Sequence, residues 1–136
     1  MRRFLLVANQ TLGGEHLLDA VRSRLDGGAC RFHVLVPATP PQDQLTWTEG
    51  EAAAIARERL EKAVVRLAEL GAEATGAVGD PDPLQAIGDA LRARPFDEII
   101  LSTLPAGISR WLGWDLPCRV ERSFGLPVDH VQTRSV

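Results

Sequence analysis

The chain has 136 residues, of which 45% are hydrophobic, and this is the size and composition of one domain with a continuous core. Its formal net charge is -3 and both signs are interspersed, which argues against nucleic acid or an anionic membrane surface as a partner. No stretch approaches the roughly 18 to 20 consecutive apolar residues of a membrane-spanning helix. We therefore predict a single domain over residues 1–136, located in the cytoplasm.

Short runs of β-type residues alternate with helical patterns from one end of the chain to the other, which is typical of a parallel sheet covered by helices on both faces. The first, second and fourth runs have the nearly continuous apolar character of central parallel strands, whereas the third is weaker and is expected nearer an edge. The predicted fold is α/β, a doubly wound, Rossmann-like sheet of five parallel strands. The predicted strands cover residues 3–8, 31–37, 73–78, 98–102 and 127–132.

Four helices are predicted between these strands. The first has apolar residues at helical spacing and stops at Gly27. The second begins with a capping box formed by Thr48 and Glu51, and the Glu and Arg residues between its apolar positions are assigned to solvent. Asp82 caps the third. A fourth helix is predicted to begin near Ile108, and Pro117 either breaks it or divides it into two shorter helices.

Small or polar residues follow the first, second and fourth strands. Ligands of open parallel sheets bind at the carboxyl ends of the strands, where the connections reverse direction, so these three segments are expected to form one site. Ser102 and Thr103 can hold a ligand there or simply end the strand and satisfy backbone groups. The candidate ligand-binding residues are Asn9, Thr11, Val36, Ser102, Thr103, Gly107 and Arg110.

Three stretches, "VGDPDPLQAI" at 78–87, "FDEIILST" at 96–103 and "GLPVDHV" at 125–131, combine with the order of elements into a pattern that resembles the universal stress protein family. The resemblance spans nearly the whole chain. It implies the five-stranded doubly wound fold of these proteins, which adenine nucleotide alpha hydrolase-like proteins share. It also implies one of two subgroups, one that binds ATP and one that does not, and a homodimer that pairs through the last strand.

The ATP-binding subgroup carries the motif G-x2-G-x9-G-[ST] after the fourth strand, where glycine amides approach the phosphates. This chain does not match the motif. When the motif is aligned from Pro127, its third glycine falls on Trp114 and its hydroxyl on Asp115, and the first two glycines fall near Leu101 and Leu104. A tryptophan fills volume that a phosphate needs and a carboxylate repels it, so ATP is disfavoured and no cofactor is predicted.

The end of the first strand departs from the family pattern as well. The ATP-binding members place an aspartate there that contacts the nucleotide, whereas this chain has Asn9 and Thr11. An amide can still hydrogen-bond a ribose or a base.

Arginines and tryptophans follow the fourth strand. Arg110, Arg119 and Arg122 offer an anion-binding surface, because guanidinium groups bind carboxylates or phosphates bidentately, or they pair with nearby carboxylates. Trp111 and Trp114 can stack on a planar ligand, but packing in the core or at a dimer surface is favoured.

The remaining reactive residues form no pattern that indicates catalysis or metal binding. Cys30 and Cys118 are far apart and are expected to be buried free thiols, with a disulfide between them left open. His16, His33 and His130 lie on different elements, so no metal site is predicted, and His33 is expected to be structural. The chain also lacks a nucleophile elbow, a Walker loop and a dinucleotide fingerprint. We therefore predict no catalytic residue and no enzyme.

The leading hypothesis is a non-catalytic regulatory or stress-linked module that resembles universal stress proteins. It forms a homodimer, and its divergent strand-end pocket does not bind ATP in the usual way but takes a small metabolite or no nucleotide at all. A second hypothesis is an ATP- or AMP-binding protein, with slow hydrolysis, that uses a rearranged cradle of Asn9, Ser102, Thr103, Gly107 and Arg110. A third is a protein-interaction module in which Trp111 and Trp114 dock a partner protein.

Overall fold

The computed structural model of the protein describes residues 1–9, 11–12, 14–39, 48–104, 111 and 115–132. Within these residues the strands form one parallel sheet in the order β3-β2-β1-β4-β5. The predicted fold class and all five strands are confirmed, to within one residue at each strand end. The elements, in chain order, are β1 (Arg2–Val7), α1 (Glu15–Asp26), β2 (Cys30–Pro37), α2 (Glu49–Glu69), β3 (Glu73–Gly79), α3 (Pro83–Ala93), β4 (Glu98–Thr103), α4 (Leu116–Phe124) and β5 (Val128–Gln132).

The order of the strands places two of the described helices on each face of the sheet. The chain builds outward from β1 through β2 to β3, then returns to the other side of β1 for β4 and β5. Because crossovers between parallel strands are right-handed, this reversal puts α1 and α2 on one face and α3 and α4 on the other. Two separate hydrophobic clusters, one for each pair of helices, fill the two sides. The weak third strand lies at an edge, as predicted.

Strand β1 lies at the centre of both clusters. Residues 4–8 are at most 1% exposed, with Phe4 and Leu6 packed toward α1 and α2, and Leu5 and Val7 packed toward α3 and α4. Burial on both faces is why this strand is a continuous apolar run rather than an alternating one. The chain therefore leaves β1 at the middle of the carboxyl edge of the sheet.

Two helices of the described residues, α2 and α3, begin at the caps that the sequence predicts. The Oγ1 atom of Thr48 accepts a hydrogen bond of 3.1 Å from the amide of Glu51, and Oδ1 of Asp82 accepts one of 3.0 Å from the amide of Leu84. Pro117 occupies the first turn of α4, where it needs no hydrogen-bond partner for its nitrogen, so α4 starts just before the proline. None of the helices in the described part of the chain has the length and apolarity of a membrane span.

A half-buried ion-pair network ties the end of α1 to the other half of the sheet. One guanidinium nitrogen of Arg24 lies 2.7 Å from a carboxylate oxygen of Glu98 on β4, and the same nitrogen bonds Asp129 on β5. Burial by itself lowers the pKa of Arg24, but the hydrogen bonds and charges of the two carboxylates outweigh burial and raise it. The network holds the last turn of α1 over β4 and β5.

The two cysteines are free, but only one of them is buried as predicted. Cys30 lies in the core, where burial raises the pKa of its thiol, whereas Cys118 is exposed on α4. The prediction was wrong for Cys118 because α4 buries Leu116 and Val120, and the position between them points away from that face.

Strand β3 approaches α2 so closely that one of its positions has no room for a side chain. A Cβ atom added to Gly76 would lie 2.3 Å from Cδ1 of Leu60 and 3.0 Å from the carbonyl oxygen of Val34. Real carbon atoms do not approach this closely, so either the leucine or the strand would have to move.

We expect Gly76→Ala to lower the free energy of unfolding by about 1 to 3 kcal/mol, because an added methyl group overpacks this contact. Urea denaturation followed by circular dichroism measures the change. Gly50→Ala is the matched control, since the nearest atom to its added Cβ is Thr48 Oγ1 at 3.8 Å, and it should leave stability unchanged or raise it by roughly 0.5 to 1 kcal/mol. Equal stability of Gly76→Ala and the unmodified chain would contradict this packing of α2 on β3.

Candidate functional site

The carboxyl ends of β1 and β4 lie side by side at the centre of the sheet, and the connections that follow them lead to opposite faces. This is the switch point at which open α/β sheets bind ligands. Two predicted residues, Asn9 and Thr11, follow β1, and two more, Ser102 and Thr103, end β4. All four are buried, with 8% of Asn9 and less of the others exposed. The structure thus brings these four candidates to one edge.

A hydrogen bond between two side chains crosses the switch point. The hydroxyl oxygens of Thr11 and Ser102 lie 2.6 Å apart, and both residues are at least 95% buried. The carbonyl oxygen of Thr11 also accepts a hydrogen bond of 2.9 Å from the amide of Gly14, the residue that precedes α1. The two hydroxyls therefore join the loop after β1 to the end of β4.

The amide of Asn9 joins the end of β1 to β2 and α2. Its Nδ2 atom donates a hydrogen bond of 2.9 Å to the carbonyl oxygen of Pro37, and its Oδ1 atom accepts one from the guanidinium of Arg59. Only a side chain with both a donor and an acceptor can make this pair of contacts. A charged aspartate would face the Pro37 carbonyl with a second acceptor, so asparagine suits this geometry better than the aspartate of the ATP-binding pattern.

Arg59 is the residue of this site that the sequence analysis missed, because it assigned the arginines of α2 to solvent. The side chain is half-buried and reaches Asn9. The signal that could have found it is spacing, since Arg59 lies three residues after Ala56 and four before Ala63, both of which are buried. It therefore flanks the buried stripe of α2 instead of lying opposite it.

Two histidines at the sheet are paired with threonines. The Nε2 atom of His130 on β5 lies 2.8 Å from Oγ1 of Thr103, and Nδ1 of His33 on β2 lies 2.8 Å from Oγ1 of Thr75. Burial is the main cause that lowers the pKa of both imidazoles, although the charge of Asp129 works against it at His130. Both rings are therefore neutral near pH 7 and serve as hydrogen-bonding links between neighbouring strands.

Trp111 is packed into the core rather than offered to a ligand or a partner. It is 6% exposed and belongs to the cluster under α3 and α4. Its indole nitrogen donates a hydrogen bond of 3.3 Å to Oγ1 of Thr39, which follows β2. Because β1 lies between β2 and β4, this hydrogen bond joins Trp111, which follows β4 in the chain, to Thr39, which follows β2, across the end of β1.

The other candidates of the sequence analysis fall in three groups. Val36 lies near the end of β2, and its side chain is fully buried in the core under α1 and α2. Arg122 lies 3.9 Å from a carboxylate oxygen of Asp115, which is the local pairing considered as the alternative to anion binding. Gly107, the predicted helix start near Ile108, Arg110 and Trp114 lie outside the described residues.

The chemistry that the described residues offer at this edge is hydrogen bonding and the positive charge of Arg59. The hydroxyl of Thr103 bonds an imidazole, as a nucleophile bonds a base, but Thr103 is only 2% exposed and so is closed to a substrate. Within the described ranges, no group of His, Cys, Asp and Glu side chains is arranged to hold a metal ion.

No protein-family model matches the chain, and no curated protein matches it significantly in sequence. Solved structures do match. A universal stress protein family member from Burkholderia pseudomallei is 15% identical, with a TM-score of 0.63 over 95% of this chain and 94% of that one. A family member from Arabidopsis thaliana with AMP bound is 10% identical, with a TM-score of 0.66 over 99% of this chain and 94% of that one.

The universal stress protein of Archaeoglobus fulgidus, in complex with dAMP, is 17% identical, with a TM-score of 0.62 over 96% of this chain and 97% of that one. At such low identity, what these neighbours share with the chain is the backbone architecture. The β3-β2-β1-β4-β5 order of parallel strands and the helices on both faces match them over nearly the full length. The protein has the fold of the universal stress proteins.

Proposed function

We propose that the protein is a non-catalytic regulatory module of the universal stress protein type, homodimeric through β5, whose strand-edge site does not bind ATP in the usual pose. The observation that carries this proposal is that the polar side chains at the switch point bond one another. Thr11 bonds Ser102, and Asn9 bonds both Pro37 and Arg59. A phosphate cradle instead needs donors that point into an open space.

Rearranging this edge for a triphosphate would carry a cost. Each buried hydrogen bond contributes about 0.5 to 1.5 kcal/mol to stability, and a buried group left unpaired costs about 1 to 3 kcal/mol. Trp111 adds a steric obstacle, because its indole is buried and bonded to Thr39 across the end of β1. The cost of breaking these hydrogen bonds and the bulk of Trp111 both favour a ligand that binds beside the existing hydrogen bonds over one that replaces them.

A second candidate is nucleotide binding through a rearranged phosphate loop. It is favoured by the Arabidopsis neighbour, which holds AMP, and by the Archaeoglobus neighbour, which holds dAMP, since both share the fold. In this case Gly107 and Arg110 would supply the loop contacts beside Asn9, Ser102 and Thr103. A protein-docking role for Trp111 is not proposed, because its side chain is buried.

Strand β5 is the element we propose for the dimer contact. It ends the sheet, so one row of its backbone groups has no partner within the described chain. Residues 128–131 are half-buried rather than exposed, and two of them, Val128 and Val131, are apolar. The opposite edge strand, β3, carries the exposed Glu73 and two glycines, and such residues discourage strand pairing.

We expect isothermal titration of the purified protein with ATP and Mg²⁺ to show no binding in the micromolar range, after mass spectrometry has shown that no nucleotide co-purifies. The reason is that the edge offers paired side chains in place of a glycine cradle. Micromolar binding that Arg110→Ala abolishes would contradict the leading proposal and establish the second candidate. Release of ADP or phosphate from ATP would contradict the non-catalytic part.

Light scattering of the eluate from a sizing column tests the dimer separately. We expect a mass twice that of one chain, because β5 has an open edge that a second copy can extend. A single-chain mass at every accessible protein concentration would remove the homodimer from the proposal without affecting the ligand-binding part.

A further inference from the structure

We propose that Arg59 is the anion-binding residue of the strand-edge site and that the ligand it recognises carries a single phosphate group, as a phosphate monoester does. This inference rests on the proposed function, namely a strand-edge site that takes a ligand other than ATP in the usual pose. It goes further by naming the residue whose positive charge selects the ligand. The observation behind it is the hydrogen bond from the Arg59 guanidinium to Oδ1 of Asn9 at the switch point.

The position of Arg59 is fixed from two sides. Helix α2 buries Ala56 and Ala63 against the sheet, which sets the helix face on which Arg59 lies, and Asn9 anchors the far end of the side chain. Asn9 is itself held by Pro37, at 2.9 Å. A half-buried guanidinium held in this way has already lost much of its conformational freedom, which lowers the cost of binding an anion.

The charge of Arg59 is not neutralised by the partner that anchors it. Asn9 is uncharged, and within the described part of the chain no carboxylate forms an ion pair with Arg59. The polar side chains of Thr11 and Ser102 at the same edge of the sheet are neutral as well. Among the described residues of this edge, Arg59 therefore supplies the positive charge that an anion meets.

The geometry of a guanidinium points to phosphate. Arg59 has five N–H donors, and its bond to Asn9 uses one of them, so a pair of parallel N–H groups can bind two oxygens of one phosphate group. The charge and the paired N–H donors of one arginine are enough to bind one phosphate group. A triphosphate needs further cations or backbone amides to balance its charge, which is why this site and the ATP cradle select different ligands.

The competing explanation is that the hydrogen bond between Arg59 and Asn9 only stabilises the fold. The two explanations differ in what they predict for the binding of charged and uncharged ligands. We expect AMP to bind the purified protein in isothermal titration and Arg59→Met to weaken AMP binding roughly ten- to a hundredfold, the strength of a charge-assisted bidentate contact. Adenosine, which lacks the phosphate, should bind both forms equally. Arg57→Met is the matched control, because Arg57 is exposed on the same helix, and it should leave AMP binding unchanged.

The substitution Asn9→Asp distinguishes anion binding by Arg59 from the family pattern, in which an aspartate at this position contacts the nucleotide. It restores the aspartate of the ATP-binding members, but it also places a negative charge against Arg59. We expect it to weaken AMP binding about as much as Arg59→Met, and inorganic phosphate binding along with it. If an acidic side chain at this position instead holds the ligand through its sugar, Asn9→Asp will strengthen AMP binding and overturn the proposal.

Further measurements separate a loss of binding from a loss of folding and identify the kind of phosphate compound that binds. Circular dichroism melting establishes whether each variant is folded. If Arg59→Met is unstable, Arg59→Lys replaces it in the test, and because lysine keeps the positive charge, this variant should retain part of the AMP affinity.

Tighter binding of AMP than of inorganic phosphate assigns the site to a nucleotide monoester, and equal binding assigns it to a simpler phosphate compound. AMP binding that is absent, or independent of Arg59 in a folded variant, overturns the inference. The proposed function fails separately, through micromolar ATP binding in the usual pose or through ATP hydrolysis.

Discussion

The burial of β1 on both faces is the constraint on which the rest of the structure depends. Because residues 4–8 have no contact with solvent, β2 and β4 must pair on either side of this strand, and helices must cover both of its faces. The next polar residues of the chain, Asn9 and Thr11, then emerge at the middle of the carboxyl edge, beside Ser102. The site is thus a consequence of where the most apolar strand of the chain ends.

Much of the fold could be predicted from the sequence, because its strongest patterns are local ones. A strand buried on both faces is a continuous apolar run, and helix caps such as Thr48 and Asp82 depend on residues only two or three positions away. The exposure of Cys118 could not be predicted in this way, because it depends on which side of a short helix faces the sheet. The universal stress protein pattern was recognisable in short pieces and is confirmed at the level of the fold.

The site was only partly predictable, because its contacts join residues that are distant in the chain. Asn9, Thr11 and Ser102 could be placed at the edge from the ends of their strands, but the hydrogen bonds that pair them span up to 91 positions. Arg59 looked like one more charged residue of a solvated helix until its partner was known. In the described part of the chain, the edge consists of neutral, mutually bonded groups together with the guanidinium of Arg59, and this arrangement differs physically from a glycine cradle.

The hydrogen bond between the two hydroxyls of Thr11 and Ser102 at the switch point is the contact on which the description of this edge depends. A double-mutant cycle with Thr11→Val, Ser102→Ala and the combined variant tests it directly by measuring the free energy of unfolding. We expect a coupling free energy of about 1 kcal/mol, the ordinary net value of a buried hydrogen bond. Strictly additive single substitutions would contradict it, because additivity would mean that each hydroxyl bonds water or another group and that the edge is open to a ligand.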